Sequence, residues 1–365
     1  MHRWVGGVLA VFLLSQGLTG AALVFRDEIE PLIHSELTVA PGPQRVSAQA
    51  MLDTVRAGHP EATVSRAEFP ESPDQAVLFK LKTRQGGDQI LLAVDPYRGT
   101  IVRDGGLSAW PTEWIFVLHE QLFLGPMGET VIGIEGLCLL FLGISGLVHW
   151  WPAKGRFSQG FRVKLDGSAD TRWRTLHRAV GAGVSAVLIL SAVTGALLVW
   201  KEPFRDALGT VTAVERKPTP KVAEETGRAM LPVDTLVASA QAAQGGAALQ
   251  QLRFSSGERV VAVYLDGTHT VRPDGTSQIY YNAYDGRELG RYVAGELSGA
   301  TEFIDWIYTV HIGLWGGVPT RLVMLIEGLL LAGLGLTGPW LWWSRAARRR
   351  RAQAARGATP AAQTR

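Results

Sequence analysis

Four long apolar runs, residues 5–25, 130–151, 180–200 and 322–343, constrain this chain more than any other feature. An α-helix needs about 20 residues to cross a hydrocarbon core of roughly 30 Å, and each run has that length. In lipid only a helix or a closed barrel satisfies its own backbone groups, and none of the runs alternates as barrel strands do. The expected class is a membrane α-helical protein with four transmembrane helices. The alternative for the first run is a cleaved signal peptide. Its apolar stretch is long for a signal core, and the third run repeats its pattern deep inside the chain. A hydrophobic content of 47% suits a soluble or a half-membrane protein equally, so the distribution decides.

Loop charges set an expected orientation. The segment after the second run carries Lys154, Arg156, Arg162, Lys164, Arg172, Arg174 and Arg178 against Asp166 and Asp170. The tail after the fourth carries Arg345, Arg348, Arg349, Arg350, Arg351 and Arg356 with no acid. This basic excess places both segments in the cytoplasm and the long intervening segments in the periplasm. The net charge of +3 is thus an orientation signal. Because the Arg tail abuts a membrane exit, the expected partner is the lipid bilayer and no nucleic acid.

The chain repeats itself. His2-Arg3-Trp4-Val5-Gly6 is followed by Thr19-Gly20-Ala21, and His177-Arg178-Ala179-Val180-Gly181 by Thr194-Gly195-Ala196, with seventeen residues from histidine to threonine each time. His119, Glu135-Gly136, Ser145-Gly146 and Trp150-Trp151 recur 192 residues later as His311, Glu327-Gly328, Thr337-Gly338 and Trp342-Trp343. Two tandem repeats of a helix–lobe–helix unit are expected. The expected divisions are 1–25, first transmembrane helix; 26–113, first lobe; 114–151, an outer interfacial helix with the second transmembrane helix; and 152–176, cytoplasmic loop. Then come 177–200, third helix; 201–303, second lobe; 304–343, outer interfacial helix with the fourth; and 344–365, basic tail.

Each lobe reads as α+β. In the first, 47–59 is a helix and 63–69, 76–83, 89–94 and 100–102 are strands by alternation. In the second, 233–243 is the helix and 249–254, 259–265, 277–283 and 288–292 are the strands. Asp95-Pro96-Tyr97-Arg98-Gly99 and Asn282-Ala283-Tyr284-Asp285-Gly286 read as matching hairpin turns. The Pro- and charge-rich stretch 215–225 joins lobe to helix.

The arrangement resembles the PepSY-associated transmembrane family, which includes iron-regulated inner-membrane proteins and ferric-siderophore reductases. The likeness covers nearly the whole chain. It rests on the twice-repeated His-Arg-x-x-Gly opening with its distal Thr-Gly, on His119-Glu120-Gln121-Leu122-Phe123-Leu124-Gly125, and on the Gly-x-x-x-Trp-Trp-Pro exit ending at Pro152. The resemblance implies small helix-plus-sheet (PepSY-like) lobes and non-covalent haem b bound through histidine.

The residues point to haem on their own account. Of eight histidines, five stand at or near ends of the apolar runs: His2, His149 and His177 on the cytoplasmic side, His119 and His311 on the outer side. Polar side chains at membrane depth usually face the bundle interior, where imidazole is an axial iron ligand. His119 and His311 are repeat mates, as are His2 and His177, which suggests two haems. Gly6 and Gly181 lie on the same helix faces as His2 and His177 and leave room for a flat macrocycle. For any one histidine a simple structural hydrogen bond competes evenly with ligation; for the symmetric set of four, ligation is the better reading. His149 has no mate, Leu341 taking its place, and competes with His2 as partner of His177.

Other redox chemistry lacks its motifs. There is no Cys-x-x-Cys-His for covalent haem, and the single cysteine, Cys138, reads as packing. Gly181-Ala182-Gly183-Val184-Ser185-Ala186 matches a dinucleotide pattern, but no strand precedes it. Electrons must then come from an unidentified donor, a cytoplasmic redox protein or membrane quinol. Glu135 and Glu327, the acids inside the spans, are proton carriers or structural hydrogen-bond partners in equal measure. Trp110, Trp114, Trp306, Tyr308 and Trp315 read first as an aromatic belt; Trp114, Trp306 and Trp315 are also candidates for a shallow substrate pocket. Two function classes are expected: a reductase of periplasmic ferric siderophore that releases Fe(II), or a non-enzymatic membrane protein whose lobes bind or inhibit periplasmic proteins.

Overall fold

The computed structural model describes residues 1–84, 89–267, 271–272 and 276–357. It divides into two compact units, one of Met1–Val24, Ile115–Trp200 and His311–Arg365, the other of Phe25–Trp114 and Lys201–Val310.

The first unit is helical. Pro126–Trp150, Ala169–Val199 and Val318–Arg351 are each long and apolar enough to cross a membrane. The first run differs from expectation. It is a bent pair, His2–Val8 and Ala10–Leu23, turning by 67°. The adjacent Gly6 and Gly7 stand just before the break, and paired small residues are a common seat of sharp kinks. Close packing depends on small residues, as expected where lipid removes the hydrophobic drive between helices. A Cβ on Gly17 would fall 2.5 Å from the carbonyl oxygen of Gly328, so Ala10–Leu23 meets the fourth helix backbone to backbone. Gly136 lies likewise against the third helix, its missing Cβ 3.3 Å from the Ala192 oxygen. Leu13, Leu142, Leu188 and Leu331, one from each apolar run, form a buried cluster.

The second unit is built on one sheet. Strands β1 (Ala62–Glu68), β2 (Val77–Thr83), β3 (Gln89–Val94), β4 (Ile101–Gly106), β5 (Ala248–Ser255), β6 (Val260–Asp266), β7 (Ser277–Asn282) and β8 (Glu288–Tyr292) run in the order β4-β3-β2-β1-β5-β6-β7-β8, antiparallel throughout. Each half is a four-stranded meander with one helix, Ala48–Gly58 or Val233–Ala243, as the alternation predicts. The two halves share a sheet because β1 pairs with β5 at Arg66↔Arg253, Ala67↔Leu252 and Glu68↔Gln251. Leu52, Val55 and Phe79 from one half and Leu236, Leu252 and Ile279 from the other bury completely in one common core.

The two predicted turns close β3–β4 and β7–β8 by the same chemistry. Asp95 Oδ1 accepts from the amides of Tyr97 (2.8 Å) and Arg98 (3.2 Å), and Asn282 Oδ1 from that of Tyr284 (2.9 Å). Both turns end on a left-handed glycine, Gly99 at φ 68° and Gly286 at φ 71°, where a side chain would be strained. Short helices at Arg26–Ile33 and Lys201–Gly209 also belong to this unit and were not anticipated.

Candidate functional site

Four of the five predicted histidines are each held by a hydroxyl residue followed by glycine. His119 closes the helix Pro111–Gln121, and its Nδ1 lies 2.8 Å from Thr19 Oγ1. His311 ends the helix Gly299–His311, and its Nδ1 lies 3.0 Å from Thr194 Oγ1. His2 Nδ1 is 2.8 Å from Ser145 Oγ, and His177 Nδ1 is 2.7 Å from Thr337 Oγ1. The following glycine makes room for each ring. A Cβ on Gly20 would stand 3.2 Å from His119 Cε1, one on Gly195 3.2 Å from His311 Cε1, and one on Gly146 3.3 Å from His2 Cε1. Gly338 faces His177 Cε1 at 3.9 Å. The Thr-Gly and Ser-Gly pairs were visible as repeat matches, but their role as histidine seats was not.

The histidines fall into two sets. His119 and His311 are seated on Thr19 and Thr194 toward one end of the first and third apolar runs, and His2 and His177 stand at the other end of those runs. His149 sits beside His2 with ring centroids 6.0 Å apart, and its Nδ1 donates to the Ser145 carbonyl at 2.6 Å. Ser145 therefore touches both contenders for the position opposite His177. Along the continuous third helix, Ala169–Val199, His177 and Thr194 are seventeen residues apart, which at about 1.5 Å per residue separates the two sets by roughly 25 Å.

These residues fit a haem better than a bare ion. Among the described residues no three His, Cys, Asp or Glu side chains converge on one point as a protein-built metal cage requires. Paired imidazoles suit an iron whose remaining positions are filled by a macrocycle. A Cβ on Gly6 would meet only Leu142 Cδ2, and one on Gly181 only Leu334 Cδ2, each at 3.8 Å, so both glycines leave space beside their histidines.

Glu135 and Glu327 are 5% and 7% exposed, and among the described residues Glu135 Oε2 meets no hydrogen-bond partner. Trp114 and Trp306 belong to the sheet unit and Trp315 to the helical unit; all three are exposed. Trp110 is not part of any belt. It is 2% exposed and packs with Leu37, Val39 and Leu91 in the sheet unit, with the Arg103 guanidinium 5.1 Å from its ring.

No curated protein matches the chain. The family model of the PepSY-associated TM region does, over residues 1–345, and the chain therefore belongs to that family.

Proposed function

We propose that this protein is a haem-b reductase of the bacterial inner membrane, passing electrons from the cytoplasmic side to ferric siderophore in the periplasm and releasing Fe(II). The observation that carries the reading is the doubled histidine pair: two imidazole sets, roughly 25 Å apart along the helices, each seated by the same hydroxyl–glycine device. His119 and His311 hold the outer haem, and His177 with His2 or His149 the inner one. Haem at both levels supplies one-electron transfer across a layer that ions cross only at high cost. The buried leucine cluster keeps water from the path, and Glu135 and Glu327 carry protons or fix helices. The donor is a cytoplasmic redox protein or quinol. Reduction favours release because hard siderophore oxygens hold Fe(III) more tightly than Fe(II).

In this reading all four apolar runs cross the membrane as two tandem repeats, the bent first pair included. The basic loop and tail are cytoplasmic and the sheet unit periplasmic. Trp114 and Trp306 of the sheet unit are candidate contacts for the ferric chelate, and Trp315 of the helical unit is a separate candidate. The test uses reduced, haem-loaded protein with a ferric hydroxamate and a ferrous trap. Haem reoxidation should accelerate as the trapped Fe(II) complex appears; reoxidation no faster than in buffer abandons the reductase.

A non-enzymatic binding role for the lobes is the second reading. A cavity of about 670 Å³ in the sheet unit, lined in part by Arg56, His59, Arg84, Phe254 and Glu258, favours it.

A further inference from the structure

We infer that Thr19, Thr194 and Thr337 are positioning residues that fix the tautomer of His119, His311 and His177, leaving each Nε2 as the lone-pair nitrogen for iron. The inference rests on the haem reading above and says what the chain does to its own ligands.

A neutral imidazole carries its proton on one nitrogen, and the group hydrogen-bonded to the other nitrogen decides which. A threonine hydroxyl has one proton. Thr19 Oγ1 donates it to the Ser15 carbonyl at 2.7 Å, Thr194 to Leu190 at 2.8 Å and Thr337 to Gly333 at 2.9 Å, all one helical turn back. With that proton engaged, each oxygen can only accept from the histidine. The 2.8, 3.0 and 2.7 Å contacts are then Nδ1–H donations, and Nε2 carries the lone pair. An outer partner that accepts from the distal N–H also raises the basicity of a ligating imidazole.

Ser145 differs. Its nearest backbone acceptor is the Leu142 carbonyl at 3.4 Å, so its proton is free to turn toward His2, and His2 is not fixed in the same way. The three Thr-Gly seats therefore fix the tautomer of His119, His311 and His177, and the Ser145-Gly146 seat leaves that of His2 adjustable.

The test uses full-length, haem-loaded protein carrying Thr19→Val, Thr194→Val or Thr337→Val, with the matching Thr→Ser variants. Valine keeps the shape and removes the acceptor; serine restores it. Valine should weaken haem retention by about 10- to 100-fold, the usual penalty for losing such a partner. It should also raise the midpoint potential of the affected haem and change its low-spin electron paramagnetic resonance signal, and serine should return all three toward wild type. Should a valine variant fail to insert, Thr→Ala at the same position serves, judged on the same readouts. Valine or alanine variants that keep wild-type potential, signal and retention overturn the inference. A wild-type chain that takes up no haem overturns the haem reading and this inference with it.

Discussion

Asp234 and Gln49 cap each other's helices across the seam of the sheet. Asp234 accepts from the amides of Ala48 (2.9 Å) and Gln49 (3.2 Å), while Gln49 Oε1 accepts from that of Val233 (2.9 Å). The first amides of a helix lack internal partners, and here each half of the duplication supplies them to the other. Asp234→Ala should therefore cost about 1 kcal/mol, the usual value of a lost cap, and loosen both helices rather than one. Hydrogen exchange at Ala48, Gln49 and Val233 checks this; protection lost only at Val233 contradicts the reciprocal arrangement.

Glu258 is the second clasp. It sits on a tight turn at φ 69°, costly for a non-glycine residue, and its carboxylate accepts from Arg56 Nε (3.1 Å) and Nη2 (2.7 Å) and from the Val64 amide (2.7 Å). Its side chain is only 12% exposed. Glu258→Ala strands the Val64 amide and takes from Arg56 one partner, leaving it Asp53, so a loss of about 1–3 kcal/mol is expected. A double-mutant cycle with Arg56→Ala should show clear coupling; additive losses would mean the pair stands apart energetically.

Glu215 gives the sheet unit a pH dependence. Its carboxylate accepts from Thr301 Oγ1 (2.7 Å), from the Ser298 amide (2.9 Å) and from Ser298 Oγ (2.8 Å), where the helix ending in His311 begins. The Thr301 hydroxyl first, and the Ser298 amide next, hold its pKa at about 2 instead of the ordinary 4.5. A depressed carboxylate stabilises the fold above its unfolded pKa and loses that contribution as pH falls toward the folded value. The thermal-stability gap between wild type and Glu215→Gln should be full above about pH 4.5 and close towards pH 2. A gap independent of pH over that window contradicts the assignment.

Topology is checked by a reporter fused after the last residue. The basic loop and tail predict a cytoplasmic reporter, and activity only in the periplasm would reverse the orientation of every element.

How much of this was legible in the sequence differs by scale. Seven strands came within one residue at either end because alternation is a local signal, as at β3, where 89–94 was expected and Gln89–Val94 observed, whereas β4, expected over 100–102, runs on to Gly106. The joining of two meanders through Arg66 and Arg253 was not legible, since no local pattern says which edge strand pairs with which. The break at Leu9 hid behind uniform apolarity, which reports length and not straightness. His119, His311, His2 and His177 were singled out by their register, but Thr19 and Thr194 read only as repeat markers. Their meaning depends on a contact about a hundred residues away in the chain.

The inner site gives the sharpest test of the haem reading. His2 and His149 both touch Ser145, one through its hydroxyl at 2.8 Å and the other through its carbonyl at 2.6 Å. Two observations favour His2 as the partner of His177: the Gly146 seat facing its Cε1, and the repeat relation that pairs His2 with His177 while Leu341 stands opposite His149. His149 is the more exposed of the two and lies on a surface face of its helix. His2→Ala should therefore remove one haem's worth of Soret absorbance from inserted protein, and His149→Ala should spare it. His119→Ala and His311→Ala should each remove the other haem and leave the inner one, since a bis-imidazole iron needs both of its ligands. The reverse outcome at the inner site, with His149→Ala bleaching and His2→Ala silent, would transfer the role to His149 and leave His2 a hydrogen-bonding residue. Two silent variants would mean that no haem sits at that level, and the proposed electron path would end at the outer pair.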